Sequence, residues 1–453
     1  MIEPLTPFQT LVEVSGAIGF AKHQQPLRVN PLYLSEQYFI DLLTWYHLAW
    51  LGQSLRQDTT VQRLMAKGEG YTLADRHELL GIMQNCMAGL LPRYRALAER
   101  GQVELSMTPY MHPIVPLLHD FGAMRCAQPD APAPEAASYP GGYERARWHM
   151  EQGLAVFEHH FGRCPRGVWL SEGAVSETAL ALLDEFDLQW TASGEGVWRN
   201  SCERSGFQGE VIESKRDLFL AHQLEGQSVQ LFFRDDGLSD LIGFKYSGWD
   251  PEQAASDFVL HLNNIADFLG ETADQRVVSI ILDGENAWEY YPDNGYRFLD
   301  ALYRELEQAG RLRMRHFSEV SSMLAAKPLP VLCAGSWVYG SLSTWIGEPD
   351  KNRAWDYLVA AKQAYDENIG NLDTEMQAQA ERQLGICEGS DWFWWFGGYN
   401  PAASVSDFEQ LFRQQLTRLY QLLGAAAPAY LAQPLSAGGG PQAENAGTMR
   451  RNT

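Results

Sequence analysis

The hydrophobic and polar positions of this chain alternate between helical spacing and short apolar runs. Apolar residues recur at helical spacing after Ser35, and Thr72 with Asp75 forms a capping box that begins a second helix. Further helices are predicted over residues 143–161, 176–186, 251–269 and 296–309, and strands over 102–106, 167–170, 188–192, 229–233 and 276–282. This alternation predicts an α/β fold with a parallel sheet that is closed or nearly closed.

The pattern changes after about residue 350, where the strands stop. Residues 351–383 and 407–423 are predicted to form long amphipathic helices, and the Ala-, Gly- and Pro-rich residues 424–453 to be disordered. The predicted organisation is a poorly defined segment 1–34, an α/β barrel over 35–330, a helical region with aromatic loops over 331–423 and a tail over 424–453.

The composition narrows the class of partner. A net charge of −22 argues against nucleic acid and against an anionic membrane surface, and nothing resembles a signal peptide or a membrane span. The 6 cysteines are scattered without a CxxC pair, so neither a zinc site nor a disulfide framework is indicated. These features predict a reduced, cytoplasmic, soluble protein, and they leave its oligomeric state open.

Two predicted strands run directly into an acidic residue beside a tryptophan. The run VVSIIL leads into Asp283 with Trp288 nearby, and RGVWLSEG carries Trp169 and Glu172. An acid after a strand is often only a helix cap or a first-turn residue. Because the arrangement occurs twice, and because parallel strands gather chemistry at their carboxyl ends, it favours a carboxylate pair that acts on a sugar.

Two further segments hold candidate polar residues. His112 lies in a proline-flanked turn of the segment QVELSMTPYMHPIVP, where a structural role is the alternative. Arg234 and Asp235 follow the predicted strand 229–233, and pairing of the arginine with a neighbouring aspartate is favoured there.

Two late segments are dense in aromatic and small residues. The first, GSWVYGSLSTWIGEPDKNRAW, contains Trp337, and the second, EGSDWFWWFGGYN, contains Asp391, Trp392, Trp394 and Trp395. Aromatic rings complement the C–H faces of pyranoses, and acids bind sugar hydroxyls. The alternative is an aromatic packing seam, and both can hold for different tryptophans.

Other reaction classes have little support in the motifs. HExxH, GxxxxGK[ST] and GxSxG are all missing from the sequence, which disfavours metalloprotease, phosphate-loop and serine-hydrolase chemistry. A metal-dependent deacetylase-like barrel is disfavoured because no ligand cluster is visible.

Taken in order along the chain, the segments quoted above, together with FRDDGLSDLIGF, resemble glycoside hydrolase family 57 and especially its α-amylase and amylopullulanase branch. The resemblance implies an incomplete (β/α)7 barrel followed by helices. It also implies a retaining mechanism on α-glucans or oligosaccharides, with neither a cofactor nor a metal ion.

The resemblance also implies roles for individual residues. Glu172 matches the nucleophile and Asp283 the general acid/base. His112 matches a substrate-contacting position. The remaining positions implied or favoured as sugar-contacting or site-shaping are Trp169, Arg234, Asp235, Trp288, Trp337, Asp391, Trp392, Trp394 and Trp395.

One departure from the family pattern concerns its first strand, which carries a His-Gln-Pro motif. Nothing before Ser35 resembles that strand, and Lys22-His23-Gln24-Gln25-Pro26 has an extra glutamine. A degenerate relative that binds glucan without turnover is therefore the alternative to an active enzyme.

Overall fold

The structure is a computed structural model that describes residues 34–207, 209–284 and 287–439. It contains two compact units. Unit 1 comprises the described residues up to Leu97 together with Asp240–Asn263 and Leu282–Arg313, and unit 2 comprises Ala98–Ser239, Asn264–Ile281 and the chain from Met314. The predicted segment 1–34, including the residues around His23, lies outside the described residues except for Leu34.

Sixteen helices are assigned in the described residues. In chain order they are α1 Glu36–Trp50, α2 Thr59–Lys67, α3 Leu73–Glu99, α4 Val115–His119, α5 Gly142–Phe161, α6 Glu177–Asp184, α7 Glu195–Arg204, α8 Glu210–Glu213, α9 Asp236–Asp240, α10 Pro251–Leu269, α11 Tyr296–Gln308, α12 Phe317–Met323, α13 Pro349–Asn368, α14 Thr374–Cys387, α15 Asp391–Trp395 and α16 Ala402–Leu422.

Five short strands form one mixed sheet in unit 2. They are β1 Gly167–Val168, β2 Trp190–Ser193, β3 His222–Leu224, β4 Gln230–Phe233 and β5 Lys327–Leu329. The sheet order is β1-β2-β4-β3-β5, and all neighbours are parallel except β3 and β4. Single parallel bridges join Met107 to Val168 and Ser279 to Arg234 at the margins of this sheet.

Two of the predicted strands, 102–106 and 276–282, are not regular strands in the structure. Residues 102–106 do not pair, and the pairing falls on Met107. The segment 276–282 pairs only at Ser279 because side chains occupy its next hydrogen-bonding groups. The Ile281 N–H donates to Ser239 Oγ at 3.2 Å, and Arg234 Nε donates to the Ile281 carbonyl at 2.8 Å.

Helix boundaries follow the capping residues. The Ser35 hydroxyl accepts from the Tyr38 N–H, and the Thr72–Asp75 capping box is present, which confirms both predicted helix starts. The single helix predicted over residues 351–383 is wrong, because the chain turns at Ile369–Asn371 and Asp373 caps a new helix, α14.

The core of unit 2 joins the sheet to the C-terminal helices, so that Val168 and Leu231 belong to the same apolar cluster as Leu416. Leu431 and Leu435 are also buried in that cluster. The disorder expected from residue 424 therefore does not begin there, since apolar side chains beyond α16 anchor the chain; residues 440–453 lie outside the described residues. No helix among the described residues is both long and apolar enough to span a membrane.

Asp184, the last residue of α6, fixes the start of β4 and provides a test of this packing. Its carboxylate accepts from the Ser228 N–H at 3.1 Å, the Ser228 hydroxyl at 2.7 Å and the Val229 N–H at 3.0 Å. Because Val229 is fully buried, we expect Asp184→Ala to lower the free energy of unfolding by about 2 kcal/mol. Denaturant titration measures this loss. The exposed Asp130→Ala variant serves as control, and equal stability of the two variants would contradict the prediction.

Candidate active site

Glu172 lies in a tight turn at the carboxyl end of β1. The turn Ser171–Gly173 places Glu172 at φ 57° and ψ 27°, a left-handed conformation that is unusual for a residue with a side chain. Gly173 follows with φ 54°, and a Cβ at that position would come within 2.6 Å of the Trp169 ring. The glycine therefore permits the indole of Trp169 to pack directly against the turn.

The turn is held by the segment that contains Trp337. Val175 and Gly335 form an antiparallel bridge, with backbone hydrogen bonds of 2.8 and 3.1 Å. The Glu172 carbonyl accepts from Ser336 Oγ at 2.7 Å and from the Trp337 N–H at 3.4 Å. Two segments that are far apart in the sequence thus form one structure around the candidate nucleophile.

The Glu172 carboxylate and two tryptophans lie side by side. Trp337 Nε1 donates to Glu172 Oε2 at 3.1 Å, and the rings of Trp169 and Trp337 meet edge to face with centroids 6.0 Å apart. The Arg234 guanidinium carbon lies 5.2 Å from the centre of the Trp337 ring. Glu172, Trp169, Trp337 and Arg234 are therefore brought together within unit 2.

Arg234 and Asp235 are buried at the end of β4. Arg234 pairs with Asp236 at 2.8 Å, as the sequence favours, and Asp235 accepts from the Leu238 N–H at 2.8 Å. These bonds orient the loop after β4. Arg234 also contacts the Trp337 ring, whereas the hydrogen bonds of Asp235 lie within the loop and to the Ser279 carbonyl.

His112 is held by the segment EGSDWFWW. Met111 and His112 are both left-handed, with φ 57° and 58°. The His112 carbonyl accepts from the Ser390 N–H at 2.9 Å, and His112 Nδ1 lies 2.7 Å from Ser390 Oγ. The side chain of the candidate substrate contact is therefore oriented by a serine hydroxyl within unit 2.

Behind this contact lies a buried carboxylate, that of Glu388. Arg145 binds it through Nε at 2.9 Å and through a second nitrogen at 2.8 Å, Tyr139 donates at 2.6 Å and His149 Nε2 lies at 2.7 Å. Burial raises the pKa of Glu388, but the charges and hydrogen bonds of Arg145 and His149 outweigh it and lower the pKa to about 2. Glu388 is thus an anion inside the protein core.

The ring of His149 connects the Glu388 carboxylate to the segment that leads to His112. Its Nε2 faces the Glu388 carboxylate and its Nδ1 faces the Tyr110 carbonyl. The Tyr110 N–H in turn donates to the His149 carbonyl at 3.0 Å. His149 therefore fixes this segment through both its side chain and its main chain.

The tryptophans after Ser390 pack on aromatic side chains of other segments. The segment Asp391–Trp395 is the short helix α15, with Asp391 exposed. Trp395 stacks on Phe408 at 4.8 Å and Trp392 contacts Phe412 at 5.8 Å, while Trp394 lies 6.0 Å from Trp345. These contacts support a packing seam, the alternative to sugar contact; a sugar-binding role for Asp391, Trp392, Trp394 and Trp395 stays a prediction.

Asp283 and Trp288 belong to unit 1. Asp283 is partly exposed and is followed by the exposed Gly284. The Trp288 ring packs against Tyr291 at 5.3 Å, and a Cβ at Gly295 would come within 2.5 Å of it. Glu285 and Asn286, which follow in the sequence, lie outside the described residues.

The family is decided by a match over residues 22–332 to the family model described as glycosyl hydrolase family 57. This span is more than half of the chain. The chain belongs to glycosyl hydrolase family 57.

Solved structures with the same fold include members of this family. A GH57 branching enzyme from Thermococcus kodakaraensis has a TM-score of 0.58 at 14% identity, covering 85% of this chain and 77% of that chain. The α-amylase AmyC from Thermotoga maritima has a TM-score of 0.59 at 14% identity, covering 95% and 91%. A 4-α-glucanotransferase from Thermococcus litoralis has a TM-score of 0.51 at 16% identity, covering 75% and 50%. These likenesses confirm the predicted fold, an incomplete (β/α)7-type barrel followed by a helical region.

Several residues around the family 57 site were not singled out from the sequence. Arg145 and His149 look like an ordinary (i, i+4) helix pair, and Glu388 opens an aromatic segment that draws attention to its tryptophans. The sequence contains one indication of burial, because Arg145 and His149 lie next to the apolar Ala146 and Met150 on α5. Among the described residues, no group of three or more His, Cys, Asp or Glu could hold a metal ion.

The Glu388 cluster predicts a defined response to acid. The pKa of Glu388 in the folded protein, about 2, lies below its ordinary value of 4.5. Its contribution to stability is therefore present above pH 4.5 and is lost as the pH falls from 4.5 towards 2. We expect Glu388→Gln to lower the free energy of unfolding by about 3–5 kcal/mol at neutral pH, because the buried Arg145 guanidinium loses its counter-ion.

Urea titrations at several pH values measure this difference. The gap between wild type and Glu388→Gln should shrink as the pH falls from 4.5 towards 2, because the carboxylate of the unfolded chain is protonated first and the folded one only near pH 2. Glu381→Gln is the matched control, since Glu381 is half-exposed and lies 3.8 Å from Arg145. A gap that stays constant down to pH 2 would contradict an ionised Glu388.

Proposed function

We propose that this chain is a retaining enzyme that acts on α-glucans of the starch, glycogen or pullulan type. The observation that carries the proposal is the held carboxylate of Glu172, which meets an indole N–H at the end of β1 and has two tryptophans beside it. A carboxylate at the end of a barrel strand, next to aromatic rings, suits attack on a sugar. Membership of family 57 supports the same reaction class.

In the proposed mechanism Glu172 is the nucleophile and Asp283 the general acid/base. Glu172 forms a bond to the anomeric carbon as the glycosidic bond breaks, and the leaving oxygen takes the proton of Asp283. The deprotonated Asp283 then accepts a proton from water or from an acceptor hydroxyl, whose oxygen displaces Glu172 from the sugar. Retention requires the two carboxyl groups to lie about 5–5.5 Å apart.

Roles in substrate binding are proposed for individual residues. His112, held by Ser390, would present its imidazole to sugar hydroxyls, and Trp169 and Trp288 would offer ring faces. Arg234, Asp235 and Trp337 are proposed to shape the site, and Asp391, Trp392, Trp394 and Trp395 are further candidates for sugar contact. The α-amylase and amylopullulanase branch of the family is the proposed assignment, because the segments around His112 and Trp337 resemble it.

The partner of this site is proposed to be a neutral polysaccharide or oligosaccharide. The net charge of −22 does not oppose such a ligand, whereas it would repel an anionic one. A cytoplasmic location is part of the proposal, since the six cysteines are all free thiols.

The reaction itself is tested by release of reducing sugar from starch and from pullulan. We expect turnover by the wild type, background rates for Glu172→Gln, and a loss of about 10²–10⁴-fold for Asp283→Asn, which removes the acid/base. Proton NMR of the first product should show an α-anomer, as retention requires. Binding of maltooligosaccharide by the wild type without turnover would identify the chain as a degenerate glucan-binding relative instead.

The same products distinguish hydrolysis from transfer. The proteins with similar folds are of both kinds, an amylase on one side and branching and glucanotransferase enzymes on the other. Incubation with maltopentaose separates these outcomes, because a transferase makes longer chains while a hydrolase makes only shorter ones.

A further inference from the structure

The indole ring of Trp337 is enclosed by neighbouring side chains. It is 7% exposed, so most of its ring is withdrawn from solvent. One neighbour is the Trp169 ring, at an interplanar angle of 80°, and another is the Arg234 guanidinium. A ring so enclosed offers a sugar little of its face.

The polar edge of the same indole points to the candidate nucleophile. Trp337 Nε1 donates to Glu172 Oε2 at 3.1 Å, and the backbone N–H of Trp337 contacts the carbonyl of the same glutamate. Both the side chain and the main chain of Glu172 are therefore oriented by one residue. Arg234 is itself fixed by Asp236 and by the Ile281 carbonyl, so its cation keeps the indole in place.

We infer that Trp337 is a positioning residue that holds Glu172 Oε2 throughout the reaction and assigns Oε1 to attack. This inference rests on the proposed function. When Oε1 bonds to the anomeric carbon, the leaving group departs with the proton of Asp283 and Glu172 becomes a neutral ester whose carbonyl oxygen is Oε2. When water then displaces Oε1, the proton of that water passes to Asp283 and the carboxylate regains its charge.

This change of charge determines which step the indole assists. A hydrogen bond to an ionised oxygen is about twice as strong as one to a neutral oxygen. The bond from Trp337 therefore strengthens as the ester breaks and the carboxylate leaves, which is stabilisation of a developing oxyanion. Trp337 thus accelerates release of the sugar from Glu172 more than its attachment.

Trp337→Phe keeps an aromatic ring and removes the donor. With an α-maltosyl fluoride, whose fluoride leaves easily, breakdown of the glycosyl-enzyme limits turnover. We expect kcat and KM to fall together by about 10- to 100-fold, the range of a lost hydrogen bond to a charged group. Mass spectrometry of the quenched protein should show an accumulated glycosyl adduct. A raised KM with unchanged kcat would overturn the inference, because it indicates that the ring binds substrate.

The matched control is Trp198→Phe. Trp198 is fully buried in α7, and its Nε1 meets no hydrogen-bond partner among the described residues. The Trp198→Phe variant therefore makes the same change of side-chain volume as Trp337→Phe without removing a hydrogen bond to Glu172. We expect its kinetics to match the wild type, and an equal fall in kcat for both variants would assign the effect of Trp337→Phe to packing.

A second readout is independent of turnover. In protein labelled with ¹⁵N-tryptophan, the indole signal of Trp337 is the one that disappears in Trp337→Phe. We expect it to move upfield in Glu172→Ala, which removes the acceptor, and an unmoved signal would overturn the inference. A wild type without glucan turnover would contradict the proposed function instead, while the indole signal would still decide whether Trp337 holds Glu172.

Discussion

The buried carboxylate of Glu388 and the side chains that bind it form the interaction on which the arrangement of unit 2 depends. A charge without contact with water is costly unless it is paired and hydrogen-bonded, and here Arg145, His149 and Tyr139 meet both requirements. Arg145 and His149 lie on α5, and Tyr139 lies just before it, whereas Glu388 directly follows α14. The electrostatic requirement therefore joins α5, the end of α14 and the segment before His112 into one body.

Serine hydroxyls bind backbone groups at several places where a strand or turn ends. Ser193 Oγ donates to the Gly173 carbonyl, Ser336 to that of Glu172, and Ser239 accepts from the Ile281 N–H. These hydroxyls satisfy backbone groups that a longer ladder of strand pairs would otherwise satisfy. Short strands are thereby compatible with a defined geometry at the end of the sheet where Glu172 lies.

Local pattern and fold class could be predicted from the sequence because they depend on neighbouring residues. The predicted strands 167–170 and 229–233 contain β1 and β4, and the predicted strand 188–192 overlaps β2. Ser35 and Thr72 mark helix starts through their own hydroxyls. The sequence did not show that residues 276–282 lack regular strand pairing. Two side chains from another segment, those of Ser239 and Arg234, bind the backbone groups of Ile281 that a strand would use.

The candidate site shows the same limit. Glu172, Trp169 and Trp337 were each predicted separately from the sequence. The structure shows that they are in contact, which their spacing in the sequence could not predict. The Glu388 cluster escaped notice for a related reason. Glu388 is separated from Arg145 and His149 by more than 200 positions, and a charged residue taken within its own segment is usually expected at the surface.

The left-handed conformation of Glu172 has a consequence for how this protein can change over evolutionary time. A side chain in that conformation costs about 1–2 kcal/mol relative to glycine, which adopts it freely. Selection for stability alone would therefore favour glycine at this position and would remove the carboxylate. A glutamate here is a sign that the turn is kept for chemistry, and a relative that had lost its reaction would be free to relax first at this residue.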